Sequence, residues 1–184
     1  MVINDIVINR LILNQYLVLL PNQTQDSVSK LLNPADPQDV PRAVELIHAV
    51  GDLHALDKSA FNPSQMKIIE ALQVIGTLFH AMTEPFINAE LSLIEQMTYL
   101  SEFAHLSLVL YRLNGTSFMS NQLYGDSQVM VKNAFFYLVK QTLMDPNLQV
   151  LLMLSGDDRL ENLFGRVRMQ GMHNCSVHLK TLMD

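Results

Sequence analysis

Apolar side chains recur along most of this chain with the period of an α-helix. Residues 5–20 mix apolar and amide side chains in a way that fits a helix packed on one side, and Pro21-Asn22-Gln23-Thr24-Gln25 reads as a loop. A second loop, Asn33-Pro34-Ala35-Asp36-Pro37, precedes a helix for which Asp39 is the expected cap. Pro41 falls in its first turn, where a missing N–H is tolerated, and Ala43, Val44, Leu46, Ile47 and Val50 are its apolar positions before Gly51. Asn62-Pro63 has the form of an N-cap followed by proline at the first helical position. Behind it Ile68, Leu72, Ile75, Phe79 and Met82 alternate steps of four and three, and Glu84-Pro85 is the expected end.

The clearest periodicity runs from about Asn88 to Leu113. Leu93, Met97, Leu100, Ala104 and Leu108 form one stripe, and Phe103, Leu106, Leu110 and Leu113 a second. Two apolar faces predict a central helix buried on both sides. Asn114-Gly115-Thr116 supplies its stop. Asp126 is the expected cap of the next helix, which extends through Val131, Phe135, Leu138 and Thr142 to about Met144, before Asp145-Pro146-Asn147 breaks it. Leu148 to Leu154, apolar apart from Gln149, reads as a buried strand. A last helix follows Ser155-Gly156, with Leu160, Leu163, Phe164 and Val167 on one face.

The fold class implied is mainly α: a multi-helix domain with at most one or two short strands near residues 148–154. No partner strand for Leu148–Leu154 is evident, and an isolated buried strand leaves its backbone groups unpaired. The chain therefore reads as part of a larger fold. No internal repeat, low-complexity tract or charge block interrupts it.

Composition supports that picture. The 184 residues suffice for one core; 49% are hydrophobic and 16% charged, with seven glycines, seven prolines and no tryptophan. A net charge of −6 gives no overall footprint for duplex DNA, so any DNA contact has to be local. The single cysteine, Cys175, excludes an intramolecular disulfide framework and fits a reducing, intracellular compartment. Met1-Val2-Ile3-Asn4-Asp5 has no basic leader, and the run Leu11–Leu20, interrupted by Asn14 and Gln15, is too short to span a bilayer. No membrane partner is expected. Sequons at Asn22, Asn114 and Asn174 are then chance matches.

Charge concentrates at Gly156-Asp157-Asp158-Arg159-Leu160-Glu161-Asn162-Leu163-Phe164-Gly165-Arg166-Val167-Arg168, followed by Gly171 and Asn174. Glu161 sits at the edge of the apolar stripe, while Arg159, Arg166 and Arg168 lie around the remaining face. Two readings stand side by side. In one, Asp158 caps an ordinary amphipathic helix whose arginines suit the C-terminal end of the macrodipole. In the other, Glu161 is a metal-binding acid at the rim of a nucleic-acid site, assisted by Asp158, with the arginines on phosphates.

The segment resembles the end of the catalytic domain in P-element-like transposases, the group that includes transposases with an amino-terminal THAP zinc finger. Asp158, Leu160, Glu161, Phe164, Arg168, Gly171 and Asn174 fall on matching motif positions, with Leu163 and Val167 as apolar equivalents. Arg159 replaces a histidine, Met172 replaces a glycine, and Cys175-Ser176-Val177 stands where an Asn/Pro-rich tail is usual. The strings Asn33-Pro34-Ala35-Asp36 and Gly156-Asp157-Asp158 are of the kind expected in fungal members.

The resemblance implies a partial RNase H-like fold in which Glu161 is the last of three metal-binding carboxylates. It implies Mg²⁺ as cofactor of the complete parent protein, DNA as its partner, and a nuclear location. Residues 1–30 would be an N-terminal helix following the missing catalytic sheet, 31–145 a helical insertion-like domain, and 146–184 the strand and Glu-bearing helix. Two-metal phosphoryl transfer needs several carboxylates around two cations, and this chain offers Glu161 with Asp157 or Asp158. It is expected to be inactive alone. The family's insertion can bind guanine nucleotide, but the chain lacks a phosphate-cradling glycine-rich loop, and an acid usual near Leu110-Tyr111-Arg112-Leu113-Asn114 is missing. No bound nucleotide is expected.

The histidines suggest no metal array: His48 and His54 flank Gly51, His80 and His105 lie in apolar helices, and His173 and His178 are separated by four residues. None is expected to share a Cys or acidic partner at ligand spacing. Cys175 has no His/Asn constellation beside it and is a poor nucleophile candidate. The methionines follow the helical stripes as core filler. The leading expectation is a fragment of a DNA transposase that cleaves and joins DNA. The alternative is a helical interaction module derived from such an element, without catalysis, whose exposed apolar faces favour self-association.

Overall fold

The chain starts as a hairpin, not as the helix expected over residues 5–20. In a computed structural model, which describes residues 1–33, 35, 39–53, 56, 57, 59, 61–145, 147, 150 and 152, β1 (Val2–Ile3) pairs antiparallel with β2 (Ile6–Val7). Asn4 and Asp5 form the turn, both at positive φ (48° and 66°). A two-residue hairpin turn demands that conformation, and Asn and Asp tolerate it better than other side chains. Ile3 is fully buried beneath the hairpin. The helix α1 (Arg10–Leu17) starts only after Asn9, whose side chain accepts a hydrogen bond from the Ile12 amide at 3.0 Å.

The two strands among the described residues thus lie at the N-terminus. The strand expected at Leu148–Leu154 falls largely outside the described residues. After the loop at Pro21, a capping box sets α2 (Gln25–Leu32): Thr24 Oγ1 accepts from the Ser27 amide at 3.1 Å, and Ser27 Oγ accepts from the Thr24 amide at 2.8 Å. Only Val28 and Leu31 of this short helix are buried, too few to display a period in the sequence.

The expected caps of the next two helices are present. Asp39 Oδ1 accepts from the Arg42 amide at 3.1 Å to open α3 (Val40–Asp52). Asn62 Oδ1 accepts from both Ser64 and Gln65 amides at 3.0 Å to open α4 (Pro63–Ile87). Glu84-Pro85 does not end α4, which runs on to Ile87. The proline forgoes one hydrogen bond in the last turn, and its ring is fully buried. Asn88 stops the helix, donating its amide to the Glu84 carbonyl at 3.0 Å and its Nδ2 to Glu84 Oε2 at 2.9 Å.

Asn88 therefore lies before the following helix, α5 (Leu93–Asn114), which Ser92 caps in a box with Glu95. Gly115, at φ +56°, terminates it as expected. The helix α6 (Asn121–Met144) is capped by Ser120, whose Oγ accepts from the Leu123 amide at 3.2 Å, so Asp126 is an interior residue rather than a cap.

The fold is mainly α. The central helix is α4, which packs on α3 on one side and α5 on the other. Ile69, Leu72, Ile75, Leu78 and Ala81 fill its core surface. The expectation that α5 is buried on both sides is corrected: Met97, Leu100, Phe103, Ser107 and Leu110 follow one buried line, while Val109 and Leu113 are 52% and 68% exposed. Helices α1 and α2 gather beside α3, the hairpin touches α4 and α5, and α6 leans on α5. The chain divides into two compact units, Met1–Val150 and Leu151–Asp184, and every element named above belongs to the first. Among the described residues no helix is long and apolar enough to cross a membrane.

Candidate functional site

Glu161, Asp158, Arg159, Arg166 and Arg168 lie outside the described residues, as do Asp157, His173, Cys175 and His178. The structure therefore offers no geometry for the charged motif. Among the described residues, no three His, Cys, Asp or Glu side chains form a group that could hold a metal ion.

A polar cleft of about 380 Å³ does open where α3 crosses α4, lined by residues that include His48, Asp52, Thr77, His80, Thr83 and Glu84. The helices approach closely here because Gly76 presents no side chain to the α3 backbone. His48 and Asp52 are four apart on α3, and His80 and Glu84 are four apart on α4, so each pair lies on one helix face. His80 Nδ1 stands 3.7 Å from Glu84 Oε1, and its ring meets the Tyr99 ring edge-on at 5.5 Å. An acidic partner for His80 is thus present, against expectation. The signal was legible as two His-x-x-x-acid pairs, each close to a glycine.

The cleft's remaining polar groups face inward to their own helix. Thr77 Oγ1 donates to the Gln73 carbonyl at 3.1 Å and Thr83 Oγ1 to the Phe79 carbonyl at 2.9 Å. The other oxygen of Glu84 accepts from Asn88. Among the described residues, the lining includes neither serine nor cysteine. What it offers is a pair of imidazoles and a pair of carboxylates able to hydrogen-bond a small polar ligand.

A second cleft, between α2 and α3, carries the cations Lys30 and Arg42. Both have acidic neighbours: Lys30 Nζ is 2.6 Å from Asp26 Oδ2 and Arg42 Nε is 3.4 Å from Asp39 Oδ2. Paired in this way, they make a weak phosphate site. A third, more apolar groove of about 780 Å³ lies between the first half of α5 and the second half of α6, with Leu93, Met97, Phe135 and Leu138 on its walls and Glu102 and His105 beside them.

Among the described residues, the polar and aromatic ties between α5 and α6 lie to one side of that groove. Gln128 Nε2 donates to the Ala104 carbonyl at 3.1 Å and to the Ser107 hydroxyl at 2.9 Å, and the rings of Tyr111 and Tyr124 stack at 4.1 Å. Tyr111 also hydrogen-bonds Asn121. At the opposite end of α5, the Ser92 hydroxyl and amide hold the Glu95 carboxyl below the usual carboxylate range.

No protein-family model, curated protein or solved structure matches this chain.

Proposed function

We propose that this chain is part of a P-element-like DNA transposase, inactive by itself, in which Met1–Val150 is the helical region that precedes, in sequence, the last acidic residue of the catalytic centre. The observation that carries the reading is the run of matching positions Asp158, Leu160, Glu161, Phe164, Arg168, Gly171 and Asn174. The helical body agrees with it, since the resemblance requires a mainly helical region before that acid.

In this reading Glu161 supplies one hard oxygen ligand, with Asp158 either assisting or capping its helix. Magnesium, when bound, supplies charge neutralisation at the scissile phosphate. A two-cation cage needs more carboxylates than this motif contains, so the remainder must come from another segment. Arg159, Arg166 and Arg168 are the side chains that would meet DNA phosphates.

The reading is tested at two levels. The DNA preceding the Met1 codon should encode, in frame, a strand-rich segment with two separated aspartates; a sequence without them overturns it. Supercoiled plasmid incubated with the purified chain and Mg²⁺ or Mn²⁺ should remain uncut. Nicking that disappears in Glu161→Gln would overturn the claim of inactivity alone.

A further inference from the structure

The polar cleft where α3 crosses α4 is one-sided in its hydrogen-bonding chemistry. Thr77 Oγ1 donates its proton to the Gln73 carbonyl, and Thr83 Oγ1 donates to the Phe79 carbonyl. A hydroxyl that donates to its own helix keeps only lone pairs for a ligand. Glu84 adds a carboxylate on a side chain that is 12% exposed. Its Oε2 accepts from Asn88 Nδ2 at 2.9 Å, while His80 Nδ1 stands 3.7 Å from Oε1, beyond hydrogen-bond length. Among the described residues, Oε1 accepts no hydrogen bond. Asp52 contributes a carboxylate from α3, and among the described residues neither lysine nor arginine lines the cleft.

Acceptors therefore outnumber donors. Glu84, Asp52, Thr77 and Thr83 can only accept, whereas a neutral His48 or His80 offers a single N–H each. Carboxylates in a cleft without cations focus a negative potential there. Glu84 is mostly withdrawn from water with one oxygen unmatched, so a charged N–H donor replaces hydration that the fold has removed. An anion meets repulsion, and a neutral acceptor meets lone pairs. A metal ion fits less well, because no three His, Cys, Asp or Glu side chains converge among the described residues. An ammonium or guanidinium distributes its donors over separate acceptors. The volume of about 380 Å³ lies in the range of small-molecule pockets.

We propose that the α3–α4 cleft binds a small organic cation, an alkylammonium or alkylguanidinium. Glu84 Oε1 and Asp52 meet its charge, and the oxygens of Thr77 and Thr83 accept its remaining N–H groups. The site uses nothing of the Glu161 motif, so it stands or falls separately from the transposase reading.

The test follows amide NMR spectra of the full chain as n-butylammonium, n-butylguanidinium, butanol or butyrate is added at constant ionic strength. Both cations should give saturable shifts at the Gly51, Gly76 and Thr77 amides. Butanol and butyrate should bind at least about tenfold more weakly, the scale of one charge-assisted hydrogen bond. Glu84→Gln retains an oxygen for Asn88 and should weaken cation binding about tenfold with little change in the unfolding midpoint. Asp52→Asn, at an exposed position, should weaken it in the same direction and serves if Glu84→Gln does not fold. The proposal is overturned if neither cation saturates, if butanol or butyrate binds as well, or if both variants bind cations like the parent. It is also overturned if Mg²⁺ or Zn²⁺ shifts the same amides at lower concentration, which would make this a metal site. Tighter binding of an acetylated, amidated lysine peptide than of the free amine overturns it too, since the ligand would then be a partner's side chain.

Discussion

Gly76 of α4 faces the Val50 carbonyl of α3 so closely that a Cβ at Gly76 would lie 2.8 Å from that oxygen. The same Cβ would meet the Gly51 Cα at 3.2 Å, so the obstacle is backbone and cannot rotate away. The α3–α4 crossing, and with it the polar cleft of His48, Asp52, His80 and Glu84, depends on that missing side chain.

Gly76→Ala should therefore push α3 and α4 apart and destabilise the protein by about 1–3 kcal/mol, as overpacking does. Gly51→Ala is the matched control. A Cβ at Gly51 meets nothing within 4 Å, so its higher helix propensity should leave stability unchanged or raise it by up to about 1 kcal/mol. Urea unfolding midpoints of the two variants check the contrast, and equal losses would refute it.

Gln128 ties α6 to the middle of α5, beside the Tyr111–Asn121 bond nearer the turn. Gln128→Ala removes both of its donated bonds, but Ser107 Oγ still donates to the Ala104 carbonyl at 3.1 Å and is not orphaned. The expected loss is about 1–2 kcal/mol, with hydrogen exchange rising along α6 more than along α4. Uniform exchange changes in both helices would argue that α6 does not move separately.

Tyr16 buries its hydroxyl without a hydrogen-bond partner among the described residues, and burial raises its pKa above the ordinary 10.0. The folded state then holds the phenol neutral while the unfolded chain ionises first. Stability should be complete below about pH 10 and fall as pH rises through that value toward the folded pKa. Tyr16→Phe retains the ring beside Phe61, whose centroid is 6.2 Å away. It should match or exceed the parent in stability near neutrality and lose less under alkaline conditions. A steeper alkaline loss in the variant would contradict this assignment.

Glu95 works in the opposite direction. The Ser92 hydroxyl and then the Ser92 amide depress its pKa below the ordinary 4.5. Its contribution is present above the unfolded value and is lost as pH falls from there through the lower folded value. Unfolding midpoints measured from about pH 6 to about pH 3 should fall less in Glu95→Gln than in the parent. Identical acid limbs would mean that the capping box adds no pH dependence.

Caps were the most legible features of this sequence because they are local. Asp39, Asn62 and Gly115 act where their side-chain chemistry or backbone freedom places them, with little help from distant residues. Asp126 misled for the same reason: it has the chemistry of a cap, but Ser120 precedes it and the turn at Gly125 stays helical. The N-terminal hairpin was missed because Asn4-Asp5 is a turn signal flanked by strands of two residues, too short for alternation to show. Of the candidate site, the motif around Glu161 was legible only as sequence, and its residues lie outside those described.

By itself, the sequence determined that this protein is built from helices and where most of them start and stop, because periodicity and capping act within a few residues. It could not decide which helix becomes the centre. The apolar lines on α5 looked two-sided, yet α4 took the middle, since burial depends on which surfaces other elements reach. Only the tertiary arrangement set Gly76 against α3, tied α5 to α6 to one side of their groove, and left Phe136 and Leu143 facing outward. Those outcomes depend on contacts between residues far apart in the chain, which no local pattern encodes.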